Sequence, residues 1–250
     1  AMQDGVTVKV VSVDENEIYA RMRKAWDEDN PPHLVGTGSE LLVSMAETGC
    51  LDRAEASRIV RRIGLERFYP GALSMLAATG GDQWYGVPFH GWVQGIWYRA
   101  DWFEEAGLAP PNTWPDILAA AKRFTDPEKG RYGILVGTDD DHFTTQVFSQ
   151  IAASNGGAMF RADGSVVFNR LAVEQALEFY AELAKYTPPG PQSWRARDYF
   201  LQGKLAMLFY STFIMDDLAL EHVAADSLTG DNFSDLKGAA FDPNLVQNVR

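Results

Sequence analysis

Leu205-Ala206-Met207-Leu208-Phe209-Tyr210 sets six apolar residues in a row with no charge among them. A strand wetted on one side alternates apolar and polar side chains, so this run predicts a strand covered on both faces. Residues 195–202, just upstream, are patterned as a helix. Moving outward, Pro188-Pro189-Gly190-Pro191 forms a stiff connector, preceded by a helix from Asn169 to Tyr186 that buries Val173, Ala176, Leu177, Tyr180, Leu183 and Ala184. A helix around 143–154 stops at Asn155-Gly156-Gly157. Arg131-Tyr132-Gly133-Ile134-Leu135-Val136 reads as a further strand, behind a helix opened by Thr113-Trp114-Pro115-Asp116. Thr113 and Asp116 have capping-box spacing, and Pro115 sits in the tolerated first turn.

The N-terminal part gives the same alternation. Val6-Thr7-Val8-Lys9-Val10-Val11-Ser12-Val13 predicts a strand, and Asp14 stands as N-cap of a helix with Ile18, Met22, Ala25 and Trp26 on one face. Asn30-Pro31-Pro32 stops that helix, and His33-Leu34-Val35-Gly36 follows as a short second strand. Strand, helix and strand in that order predict a parallel βαβ unit. Residues 41–80 are mostly helical in pattern. Trp84–Arg99 is strand-like but interrupted by Gly86, Pro88, Gly91 and Gly95. Two runs of alternating elements, separated by a Pro-rich passage near 98–112, predict two α/β lobes: 1–99 and 100–222, with 223–250 returning toward the first.

Composition narrows the function. The 34 Asp and Glu against 22 Lys and Arg give a net charge of -12, a poor match for nucleic acid, which clustered cations bind by displacing counterions. Arg58, Arg61, Arg62 and Arg67 have the spacing of a solvated helix face. Cys50 is the single cysteine, so the chain cannot close a disulfide or assemble a cysteine metal site on its own. His33, His90, His142 and His222 are scattered without metal-ligand spacing, and no cofactor is expected. Gly36-Thr37-Gly38-Ser39 lacks the Lys-Ser/Thr pair of a phosphate loop, and no Gly-x-Ser-x-Gly occurs. No apolar run reaches the roughly 18–20 residues that span a bilayer. Ala1-Met2-Gln3-Asp4-Gly5 reads as an artificial start, with a leader expected to have been removed ahead of it.

The 7 Trp, 9 Tyr and 14 Phe are unevenly spread. Trp84, Tyr85, Phe89, Trp92, Trp97, Tyr98, Trp102 and Phe103 crowd into one segment that also carries His90, Gln94 and Asp101. Core strands are built from Val, Ile and Leu; here bulky rings alternate with glycines and polar groups. Rings lie flat against the C–H faces of a sugar while polar side chains hold its hydroxyls. Most of these rings are core by size alone, and Trp97 and Tyr98 point to opposite faces of a strand. A glycoside hydrolase is the enzymatic alternative, with Glu40, Asp82 and Asp139-Asp140-Asp141 as the carboxylates that could form its pair.

Gly86-Val87-Pro88-Phe89, the segment Trp97–Leu108 and Pro110-Pro111-Asn112-Thr113-Trp114-Pro115-Asp116 resemble the extracellular solute-binding proteins of ABC importers, nearest the branch that binds sugars and oligosaccharides. Gly130-Arg131-Tyr132-Gly133, Asn155-Gly156-Gly157 and Phe200–Met207 match in the same order, so the resemblance runs from about residue 6 to 215. It implies an α/β, two-lobed type II binding-protein architecture, each lobe a mostly parallel sheet flanked by helices. It also implies a non-enzymatic, extracytoplasmic monomer that closes about a hinge on a carbohydrate and presents it to a membrane permease. Family members begin with a strand and helix before the segment like Val6–Val13 and continue well past residue 250, so the sequence reads as part of a longer protein. The resemblance places ligand contacts at Ser39 and Glu40, at the end of the second strand, and at His90, Trp92 and Gln94. It adds Asp141, His142 and Phe143 before the 143–154 helix, and Ser211 and Phe213 after the buried strand. Trp194, in a connector, completes the set. A Trp is frequent in the family where Phe213 stands, so the stacking platform is smaller here. Binding of a phosphorylated polyol is a further alternative, weakened by the lack of an Arg cluster among these positions.

Overall fold

The computed structural model describes residues 5–13, 17–157, 165–219, 242 and 244–250. The chain divides into two compact units, 1–91 and 92–250.

The second unit is built around the run that opened the sequence reading. Leu205–Ser211 (β3) is the central strand of a three-stranded sheet, flanked by Gln94–Tyr98 (β1) and Tyr132–Leu135 (β2) in the order β1-β3-β2. β1 runs antiparallel to β3, with Gln94 opposite Ser211 and Tyr98 opposite Met207. β2 runs parallel to it, with Leu135 opposite Leu208. Leu205, Ala206, Met207 and Leu208 have no exposed surface, as expected of a strand paired on both edges and covered on both faces. Each large side chain buried there contributes roughly 1.5–3 kcal/mol of transfer free energy.

The helices form where their sequence signals place them, although Leu177, read as facing inward, is exposed while Phe179 is buried. Ala100–Ala106 (α5) leaves β1, and Trp114–Phe124 (α6) packs on β2. His142–Ser154 (α7) lies against Arg170–Ala184 (α8), and Ala196–Leu201 (α9) leads into β3. Ile214–Ala219 (α10) follows β3, and Leu245–Asn248 (α11) buries Leu245 in the same core. The α6 capping box forms: the Asp116 amide donates to Thr113 Oγ1 at 3.3 Å, and the Thr113 amide donates to Asp116 Oδ2 at 3.1 Å. Thr113→Ala is expected to destabilise the second unit by about 1 kcal/mol, read as a lower urea midpoint with unchanged slope.

In the first unit, Ile18–Asp27 (α1), Ser39–Glu47 (α2), Arg53–Ile63 (α3) and Pro70–Met75 (α4) are the α-helices among the described residues. Val60, Leu76 and Trp84 form a small core, with Leu42, Phe68, Leu73 and Val87 packed against it. Ser57 Oγ donates to the Arg53 carbonyl and accepts from the Trp84 amide at 2.9 Å. Arg58 pairs with exposed Glu55, and the Arg61 guanidinium lies 5.3 Å from the Trp84 ring centroid. Arg58, Arg61 and Arg62 are therefore exposed on one helix, as their spacing implied, whereas Arg67 falls in a separate 3-10 turn beyond Gly64.

Two expectations are corrected. Val6–Val13 pairs with no described strand, and Val6, Val8, Val10 and Val11 are 58–83% exposed. His33–Gly36 is likewise irregular, with Leu34 89% exposed. The predicted N-terminal βαβ unit is therefore absent among the described residues; only its helix forms, and its Asp14 cap lies outside them. Alternation marks which face a strand would bury, but a strand exists only where a neighbouring backbone takes up its N–H and C=O groups. Ser39 consequently does not end a strand. It is the first residue of α2.

Candidate functional site

Because β2 is parallel and β1 antiparallel to β3, one edge of the sheet collects the C-terminal ends of β2 and β3 and the start of β1. In open α/β sheets ligands bind outside the carboxyl ends of the strands. The eight sequence candidates in the second unit, Trp92, Gln94, Asp141, His142, Phe143, Trp194, Ser211 and Phe213, all belong to segments that reach this edge.

Gln94 begins β1 opposite Ser211, and its side-chain Nε2 donates to Gln146 Oε1 on α7 at 2.9 Å. The preceding residue is locked across the strand pair. The Val93 carbonyl accepts from the Thr212 amide at 2.9 Å, and the Val93 amide donates to Thr212 Oγ1 at 3.2 Å. This clamp brings Trp92 beside Phe213, ring centroids 5.6 Å apart and planes inclined at 69°. Trp92 is 53% exposed and Phe213 40%, so the pair offers ring surface to solvent. Phe213 in turn donates its amide to Ser211 Oγ at 3.3 Å.

A second wall comes from the α7 entrance and the connector. Asp141 caps α7 by accepting from the Thr144 amide at 2.9 Å, and it also accepts from the Ser193 hydroxyl. Its negative charge suits a helix N-terminus. The Gln192 carbonyl accepts from the Thr138 amide at 2.9 Å, which fixes the connector beside β2. Trp194 then packs against Phe143 at 5.3 Å and edge-on to Tyr210 at 6.0 Å. Phe143, 1% exposed, serves as the support of Trp194, which keeps 38% of its surface open. Burial pushes the Tyr210 hydroxyl up to about 12, and the Tyr180 hydroxyl, which donates to the Gly137 carbonyl at 2.7 Å, up to about 12 as well. Both remain protonated at any physiological pH. His142, the first residue of α7, is exposed.

In the first unit, Ser39 is half-buried at the start of α2, and His90 stands edge-on to Phe89 at 5.1 Å. The Glu40 side chain lies outside the described residues. Sequence reading missed Gln146, Thr212, Ser193 and Tyr210. Gln146 sits one helical turn beyond His142, so helical spacing could have found it. Thr212 is flanked by two candidates, whereas Ser193 and Tyr210 gain their places only through the connector's path. Among the described residues no cluster of His, Cys, Asp or Glu could hold a metal ion.

An aromatic platform bordered by amides and hydroxyls at the carboxyl ends of a mixed sheet defines a small-molecule binding protein of α/β class. The sequence profile of the bacterial extracellular solute-binding proteins matches residues 3–231, and the chain belongs to that family. Its members are extracytoplasmic binding components that serve ABC transporters, rather than enzymes. A putative ABC transporter periplasmic-binding protein of Escherichia coli K12, YcjN, is 32% identical over 212 residues, covering 84% of this chain and 49% of that protein. The mannitol-binding protein of Pseudomonas aeruginosa is 32% identical over 113 residues, 44% of this chain and 26% of that one. The chain spans about half the length of the first of these relatives. Among solved structures, a Thermotoga lettingae solute-binding protein bound with α-D-tagatose superposes with TM-score 0.72 at 24% identity, covering 86% of this chain and 56% of that one. One from Agrobacterium vitis with bound D-mannitol gives 0.69 at 23% identity, covering 98% and 56%. These likenesses establish the α/β fold.

Proposed function

We propose that the protein captures a neutral carbohydrate or sugar alcohol outside the cytoplasm for an ABC importer, as a monomer and without nucleic acid. The carrying observation is the half-exposed Trp92–Phe213 pair beside the Gln94–Gln146 amides and Ser211. The ring faces would cover the C–H side of a pyranose or the carbon chain of a polyol, and the amides would take its hydroxyls. Trp194 and His142 are proposed as further contacts in the second unit, and Ser39, Glu40 and His90 as candidate contacts of the first unit taken by itself. The charge around these residues favours a neutral ligand. The sequence carries no Lys or Arg from Tyr132 to Gly157, and Asp139 and Asp140 stand exposed before α7. Phosphate recognition calls for the opposite arrangement.

Calorimetry and tryptophan fluorescence against monosaccharides, oligosaccharides, sugar alcohols, sugar phosphates and dipeptides test the reading. Saturable binding is expected for at least one neutral sugar or polyol. Trp92→Ala should weaken it about tenfold or more, roughly 1.4 kcal/mol. Binding of dipeptides or sugar phosphates with no response to neutral sugars would overturn it.

A further inference from the structure

The start of α9 reaches the same edge of the sheet as the aromatic platform. Trp194, just ahead of α9, meets Tyr210 at the end of β3, and α10 begins at Ile214. Arg197 on α9 ties the two helices together there. Its Nε and Nη2 donate to the Asp217 carboxylate of α10 at 2.8 and 2.5 Å, and its Nη1 donates to Asp198 Oδ1 at 2.6 Å. Arg197 thereby serves both oxygens of Asp217 but only Oδ1 of Asp198.

Two polar atoms of this cluster are left over. Asp198 is 9% exposed, and its Oδ2 accepts no hydrogen bond among the described residues. Tyr210 is 8% exposed, and its hydroxyl makes none either. Both atoms keep contact with solvent. Burial raises the Asp198 carboxyl from its ordinary value although Arg197 opposes the change, as expected of a carboxylate short of donors. The Tyr210 hydroxyl, kept protonated chiefly by burial, lies in the fields of Arg197, Asp217 and Asp198. A side chain this deeply buried with an unused polar group is uncommon, because the group loses water without gaining a partner. Here an unused donor and an unused acceptor face one cluster.

We propose that Tyr210 and Asp198 bind a free hydroxyl of the captured molecule, which accepts from the phenol and donates to Asp198 Oδ2. A hydroxyl is donor and acceptor at once, whereas an ether oxygen makes only the first bond, so the pair selects unsubstituted hydroxyls. Trp194, edge-on to Tyr210 and 38% exposed, offers the C–H contact beside it. The assignment rests on the carbohydrate reading and names the group recognised within it. Tyr210→Phe is the decisive variant, since it deletes a hydroxyl that supports nothing in the fold. Calorimetry on the whole chain uses each neutral sugar or sugar alcohol that saturates the wild type, with thermal melting followed alongside. Tyr210→Phe is expected to weaken binding roughly two- to tenfold, the range of a neutral hydrogen bond, and to leave melting unchanged or higher. Asp198→Asn keeps an oxygen for Arg197 but turns the free one into a donor, and is expected to weaken binding about ten- to a hundredfold. Should Asp198→Asn unfold early, Tyr210→Phe decides alone. Wild-type affinity in Tyr210→Phe, where Trp92→Ala still weakens binding, would overturn this assignment and leave the carbohydrate reading standing. A lowered melting temperature for Tyr210→Phe would do the same, by showing the hydroxyl already engaged in the fold. No saturation by any neutral sugar or sugar alcohol sinks both.

Discussion

Replacing Arg99 by methionine is expected to destabilise the second unit by about 3–5 kcal/mol, the cost of stripping one partner from a buried ion pair. Arg99 stands at the junction of β1 and α5 and is 3% exposed. Its guanidinium donates to both carboxylate oxygens of Asp101, at 2.9 and 2.6 Å, and to Asp242 Oδ2 at 2.6 Å. Its plane also lies 4.9 Å from the Trp102 ring centroid. Methionine can fill much of the volume but leaves the Asp242 carboxylate, 17% exposed, without its cation. The same arginine's amide donates to the Ala206 carbonyl at 2.9 Å, so the pair ties the end of β1 to β3. Urea unfolding followed by near-ultraviolet circular dichroism measures the loss, and a change below about 1 kcal/mol would show the pair to be dispensable.

The pH dependence supplies an internal check. Burial alone would raise the Asp101 carboxyl, but the hydrogen bond and charge of Arg99 outweigh it and hold the group below the usual carboxylate range. A depressed carboxyl contributes stability above its unfolded value near 4 and loses it as pH falls through the folded value. The wild-type chain should therefore lose that increment below about pH 4, and the Arg99→Met chain should lack it at every pH.

Gly133→Ala should cost about 2–3 kcal/mol, although it adds a single methyl group. Gly133 lies in β2 directly beneath α6, and a Cβ built there would stand 2.1 Å from the Ala121 carbonyl oxygen and 2.4 Å from its Cα. Those are helix backbone atoms and cannot rotate aside. Helix α6 would have to lift off the strand, opening gaps around Ile117 and Ala120, which are now 7% and 1% exposed. Gly95 in β1 is the control: nothing lies within 4 Å of its Cβ position, so Gly95→Ala should shift stability by no more than about 0.5 kcal/mol. Equal effects at the two glycines would refute the close-approach argument.

Much of the second unit was legible because its signals are local. Thr113 and Asp116 satisfy each other within one turn, Asp141 and Asn169 cap their helices through backbone amides three residues on, and β3 announces itself by an unbroken apolar run. Trp92, Gln94, Ser211 and Phe213 were singled out through resemblance as candidates, and the strand register accounts for their proximity: Gln94 faces Ser211 because β1 is antiparallel to β3. Tertiary structure alone decided the rest. Val6–Val13 has the alternation of a strand and no described strand beside it, since pairing depends on a second backbone that its own residues do not encode. Gly133 reads as a weak point in a strand until the backbone of α6 is found against it, and Gln146 and Ser193 meet Gln94 and Asp141 only where α7 converges with β1 and with the connector. Capping and periodicity act within a few residues; contacts made across more than fifty positions, such as Gln94 to Gln146, depend on how the whole unit packs.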